Sequence, residues 1–85
     1  MKKIHIGGIP YGSVQGEFVE FVESKVGPIA EIVWITNKHD GSFRGFAFVI
    51  FQNENDDLQA MLILNNHEYE GRMLKVSEAT PMRQR

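Results

Sequence analysis

Cysteine is absent from the 85-residue chain, which excludes disulfides, thiolate metal sites and cysteine nucleophiles. Its absence fits a reducing compartment, so the nucleus, the cytoplasm or an organelle interior is the expected setting. No stretch approaches the ~20 apolar residues that cross a bilayer. The start, Met1-Lys2-Lys3-Ile4-His5, has no long apolar core of the secretory kind. An excess of basic charge is also missing, since the formal net charge is −2. A nucleic-acid binder is ordinarily basic, so such a function requires the charges to be segregated. They are partly so. Glu17, Glu20, Glu23, Glu54, Asp56 and Asp57 fall in two segments with helical patterning. Lys2, Lys3, Lys38, Arg44, Lys75, Arg83 and Arg85 fall on strands, a loop and the termini. A balanced total can hide one basic face.

What is present is an ordinary globular pattern, with 42% hydrophobic residues and length for one domain. Lys3 to Ile9 alternates as a strand, Ile4 and Ile6 on one side and His5 and Gly7 on the other. Pro10-Tyr11-Gly12 ends it. Ser13 is the expected N-cap of a helix that buries Val14, Phe18, Phe21, Val22 and Val26 and turns its glutamates to solvent. Gly27-Pro28 stops that helix. Glu31 to Thr36 is a second strand, with Trp34 alternating inward beside Ile32. A turn-rich loop, Asn37 to Ser42, follows. Arg44 to Phe51 is a third strand whose alternation separates Ala47, Val49 and Phe51 from Phe46, Phe48 and Ile50. Asn53 is the expected cap of a second helix, with Asp56 three residues on and Leu58, Ala60, Met61, Leu62 and Leu64 as its apolar positions. Leu62 falls on its outer side. After a Glu70-Gly71 turn, Arg72 to Ser77 is a last strand, Leu74 and Val76 inward and Lys75 and Ser77 outward.

The order is βαββαβ. Two helices cover only one face of a four-stranded sheet, so the other face meets solvent or a ligand. That face would carry His5, Gly7, Val33, Ile35, Phe46, Phe48, Ile50 and Lys75. Aromatics gathered on an uncovered face form an apolar patch of the kind that marks binding sites. With Arg44, Lys75 and Lys2 around them they suit single-stranded nucleic acid, whose bases stack on rings while cations meet the phosphates.

At these residues the chain resembles the RNA-recognition motif domains. The octamer Arg44-Gly45-Phe46-Ala47-Phe48-Val49-Ile50-Phe51 is similar to the longer signature of that family. Ile4-His5-Ile6-Gly7-Gly8-Ile9 resembles the shorter one, with His5 where Tyr or Phe is usual and Gly8 where Asn is usual. Gly27-Pro28-Ile29 and Glu70-Gly71-Arg72-Met73-Leu74-Lys75-Val76 also fall where the family has similar residues, although Asp57 stands where it favours alanine. The resemblance covers residues 3 to about 80. It implies that Phe46 and Phe48 stack on a base or sugar, that His5 stacks on a neighbouring base, and that Arg44 pairs with a phosphate. It implies further that Lys75 and the main chain near residues 78–80 touch the strand, and that the loop from Lys38 to Phe43 pinches it against the sheet. Alternation alone leaves open which aromatic set of the third strand faces the core; the resemblance assigns Phe46 and Phe48 outward.

Plainer readings also fit these positions. Arg44, Lys75, Lys38 and Phe43 could be ordinary surface or loop residues, and His5 an unliganded strand histidine. His39 and His67 read as loop residues, and three scattered histidines make no metal site. Gly12-Ser13-Val14-Gln15-Gly16 and Trp34-Ile35-Thr36-Asn37 resemble pieces of the acylphosphatase signatures. That chemistry needs a cation four residues after Gly16, where this chain has Glu20, which would repel phosphate. A protein-interaction domain of the same fold, using the apolar sheet or Leu62, is the other alternative.

The expectation is therefore an α+β, ferredoxin-like βαββαβ sandwich, one antiparallel four-stranded sheet with two helices on one face. It would be a single domain over residues 1–85 with a polar tail at 81–85, monomeric, with no cofactor, metal or catalysis. Its expected partner is single-stranded RNA, or single-stranded DNA, held by His5, Arg44, Phe46, Phe48, Lys75, Lys38, Phe43, Val33 and Ile35.

Overall fold

The computed structural model describes residues 3–79. Lys2, Arg83, Arg85 and the polar tail lie outside them. In chain order the elements are β1 (Lys3–Gly7), α1 (Gln15–Lys25), β2 (Ile29–Thr36), β3 (Phe43–Phe51), α2 (Asn55–Leu64), β4 (Glu68–Tyr69), β5 (Arg72–Met73) and β6 (Lys75–Ala79). The main sheet has the strand order β2-β3-β1-β6, every pair antiparallel. This is the expected ferredoxin-like sandwich of four strands and two helices.

The alternation separates the faces cleanly. Ile4, Ile6, Ala47, Val49, Phe51 and Val76 are buried on the helix side, where Phe18 and Val22 of α1 and Ala60 and Leu64 of α2 cover them. Leu74 and Ile9, just outside the strands, complete this core. The aromatic members form a continuous run: Phe18 meets Trp34, Phe21 and Tyr69 at ring separations of 5.7, 6.2 and 5.4 Å. Burial raises the Tyr69 phenol above its ordinary pKa, and Glu70 and Glu17 add to the rise. No buried side-chain polar atom among the described residues lacks a partner, Asp57 included.

Several local expectations fail. The helices are preceded by Val14 and Glu54, not by Ser13 and Asn53 as caps, and neither makes a side-chain capping bond. The Ser13 hydroxyl instead donates to Glu70 Oε1 at 3.2 Å, joining the β1–α1 connection to the β4–β5 hairpin. Val14 and Leu58, expected in the core, are exposed, because each helix buries a stripe narrower than its apolar content. Glu23 is not merely solvated: its Oε2 accepts the Ile29 N–H at 2.9 Å and fixes the start of β2.

The expected last strand is broken in two. Arg72 and Met73 pair with Tyr69 and Glu68 as a small hairpin, not with the main sheet. Its turn is Glu70-Gly71, both left-handed at φ 51 and 89°, which is the two-residue geometry that matches strand twist. Leu74 then bonds to the segment that follows α2: its N–H donates to the His67 carbonyl at 2.9 Å and its carbonyl accepts from the Asn66 N–H at 2.8 Å. Only from Lys75 does the chain join β1.

β1 likewise stops at Gly7, two residues early, because Gly8 turns left-handed at φ 77°. Its missing side chain matters twice, since a Cβ there would run into the Met73 carbonyl oxygen. Gly8→Ala combines left-handed strain with a backbone clash and should destabilise the domain by about 1–3 kcal/mol. A lowered urea midpoint at unchanged m-value would register it.

Candidate functional site

The uncovered face is built on β1 and β3, the two central strands. His5 stands opposite Phe48, and Gly7 opposite Phe46. Three rings meet there. His5 lies 5.2 Å from Phe46 and 5.4 Å from Phe48, and the two phenyls stand edge to face at 6.1 Å. All three are half-buried by each other, with part of each ring open to solvent. Gly7 carries no side chain between His5 and Phe46, and a Cβ there would come within 3.2 Å of His5 Cε1. The space is left for the imidazole to tilt over the strand.

The rim of the patch is cationic. Lys3 Nζ sits 5.9 Å from the centre of the Phe48 ring, inside the range of a cation–π contact. Arg44 is exposed at the other end. Lys75, opposite Gly7, is exposed, and its ammonium donates to Asn66 Oδ1 at 2.8 Å. Val33 stands opposite Phe48 and extends the apolar surface onto β2, followed by the half-buried Ile35. Glu31, opposite Ile50, is by register the one carboxylate that the described strands turn to this face. The segregation of charge expected from the sequence is therefore real over the described residues.

Phe43 does not join this group. β3 begins one residue earlier than expected, and the Phe43 ring stacks on Trp34 at 4.0 Å with the planes 7° apart, against the helix-side core. A shift in the β2–β3 register between Trp34 and Thr36 brings Phe43 opposite Thr36. Lys38 lies exposed in the β2–β3 loop. That loop is held by its own bonds: Asn37 Oδ1 accepts the His39 N–H at 2.8 Å, and the Gly41 N–H donates to the Asn37 carbonyl at 2.7 Å. Asp40 accepts both the Ser42 N–H and hydroxyl, which holds its carboxyl below the usual pKa.

Sequence reading missed a second feature. Beside the rings lies an open hollow of about 210 Å³ lined by His5, Gly7, Gly8, Ile9, Tyr11, Arg44, Gly45, Phe46 and Arg72. Gly45 is left-handed at φ 93°, and a Cβ on it would stand 2.8 Å from Tyr11 Cε1. The Tyr11 ring thus lies against bare backbone, 70% exposed. Arg72 reaches the same hollow from the β4–β5 hairpin. A ring and two guanidinium groups around a hollow walled by glycines can grip a planar, anionic ligand such as a nucleotide. In the segment 12–16, α1 begins at Gln15.

Comparison with known proteins identifies the family. A family model described as RNA recognition motif matches residues 4–75. Human cleavage stimulation factor subunit 2 is 30% identical over 79 residues, which is 93% of this chain but 14% of that protein. The chain thus spans a small part of the curated relatives it matches. Among solved structures, RNA Binding Protein PG1 superimposes with a TM-score of 0.85 at 28% identity, covering 99% of this chain and 100% of that one. A Sex-lethal protein–RNA complex gives a TM-score of 0.87 at 27% identity, covering 96% of this chain and 48% of that one. The family is an RNA-binding, non-catalytic one, and structures with bound RNA are among the neighbours. This chain belongs to the RNA recognition motif family.

Proposed function

We propose that this domain binds single-stranded RNA across the open face of its sheet, with bases stacked on Phe46, Phe48 and His5. The reading is carried by the meeting of those three rings on the one face that no helix covers. A base offers a flat π surface, and a ring left half open can be completed by it. In this reading Lys3 and Arg44 meet the sugar–phosphate backbone at the rim of the patch, and Lys38 meets it from the loop. Lys75 acts at the β6 edge once a phosphate or base draws it from Asn66. Val33 and Ile35 supply apolar contact. The hollow of Tyr11, Arg44 and Arg72 takes the nucleotide next to the rings, between an aromatic face and guanidinium groups. Phe43, turned to the core, supports the loop from behind and makes no contact.

Amide shift mapping with short single-stranded RNA tests the reading. The perturbed residues should trace β1, β3 and the Tyr11–Arg72 hollow, with the helices silent. Shifts confined to α2 would instead favour a protein-type contact at Leu58 and Leu62, which stand one turn apart and 57 and 68% exposed. A parallel titration with the DNA oligomer shows whether the 2′-hydroxyl is read. Arg44→Ala should flatten the dependence of log K on log salt by about 0.7, the loss of one phosphate contact to a single strand. Affinity measured at several salt concentrations for both proteins gives that slope.

A further inference from the structure

We propose that RNA binding by this domain is coupled to uptake of a proton on His5, so that affinity rises as pH falls. The inference rests on the RNA-binding reading above and concerns the one residue at the centre of the face that can change its charge near neutrality.

The surroundings of His5 set up the coupling. Its contacts on β3 are the phenyl rings of Phe46 and Phe48. On β6 it stands opposite Ser77, with Lys75 on the next pair. Along β1 its neighbours on the same face are Lys3 and Gly7. Arg44 and Arg72 line the hollow that His5 itself helps to wall. Glu31, the carboxylate that β2 turns to this face, is two strands away, across β3. Glu78 stands opposite Ile4 and so belongs to the helix side. An imidazolium on this face therefore has cations of β1, β3, β5 and β6 around it, and by register no carboxylate on its own strand or on either flanking strand of this face among the described residues. A phosphodiester laid across the patch reverses that balance. It supplies the missing anion, and a ring that is both flat and charged can stack on a base and attract a phosphate together. A phenyl or phenol at this position would stack with no response to pH. His39 is exposed in the β2–β3 loop, and His67 lies behind the sheet with its ring 5.6 Å from Phe21, so neither shares this setting.

The test is fluorescence anisotropy with short RNA oligomers of guanosine and uridine, whose bases do not titrate between pH ~6 and pH ~8. Affinity should rise at least about threefold from the higher pH to the lower, with a salt slope steeper by about 0.7. His5→Phe should still bind and should lose both effects, while His39→Asn should keep them. Calorimetry in two buffers of different ionisation heat should show net proton uptake by the natural chain and none by His5→Phe. Binding that is equally tight at both values of pH would overturn the coupling and leave the RNA-binding reading intact. A pH response that survives His5→Phe would assign it elsewhere and equally overturn the proposal. Failure to bind at either pH would remove the RNA-binding reading and the coupling with it.

Discussion

Replacing Phe46 and Phe48 together with alanine is expected to weaken binding of short single-stranded RNA by about 2–5 kcal/mol and to leave the fold in place. Each ring offers a base one stacking surface, for which alanine substitution costs about 1–3 kcal/mol. The two are not independent, since they stand edge to face at 6.1 Å and both touch His5. Removing one frees the imidazole to shift, so the double variant should fall short of the sum of the single ones. Neither ring belongs to the buried core, and the loss in unfolding free energy should stay near 1 kcal/mol, the scale of a cross-strand pair. The experiment therefore needs both readouts. RNA affinity is followed by anisotropy, and unfolding by the fluorescence of Trp34, the single tryptophan, which lies on the helix side, away from the open face. An unchanged affinity in a folded double variant would refute the stacking reading.

How much of this was readable beforehand depends on the range of the interaction that fixes each feature. The alternation in β3 was legible because it is local, whereas the choice of core face rested on the family resemblance: Ala47, Val49 and Phe51 are buried and Phe46 and Phe48 are not. The faces of β1 and β6 followed in the same way. Caps were less legible, since an N-cap is one side chain competing among several bonds, and Ser13 found Glu70, 57 residues away in sequence. The fate of Phe43 was set by a shift of register against β2, which no count along β3 reveals. The hollow was invisible for a similar reason. Tyr11 and Arg72 are brought together only because Gly8 and Gly45 turn left-handed and the Glu70-Gly71 hairpin folds back. What the sequence did offer was an aromatic after a proline at the end of a strand, read simply as a stop.

The counterpart of the first experiment is Phe18→Ala, which should cost about 3–5 kcal/mol of stability, the usual loss for a fully buried phenyl. Phe18 is the one ring of α1 with no solvent exposure. It touches Trp34 on β2, Tyr69 on the β4–β5 hairpin and Phe21 one turn on. Alanine there leaves a cavity between three elements that cannot all close in, because Trp34 is also held by the stacked Phe43 ring. A domain of this size has only about 5–10 kcal/mol in total, so the variant should lie near the edge of folding and unfold in low urea. Its open sheet face is untouched, however. Where the variant is folded, its affinity should stay within about twofold of the natural chain. Urea curves read at Trp34, with anisotropy at low denaturant, check both halves. The two phenylalanine experiments thus act on opposite sides of one sheet: the first removes the ligand and spares the fold, and the second removes the fold and spares the ligand. A Phe18→Ala protein of natural stability would mean that the helices do not rest on the sheet as described. The open face would then lose its physical basis, since it is open only because both helices are committed to the other side.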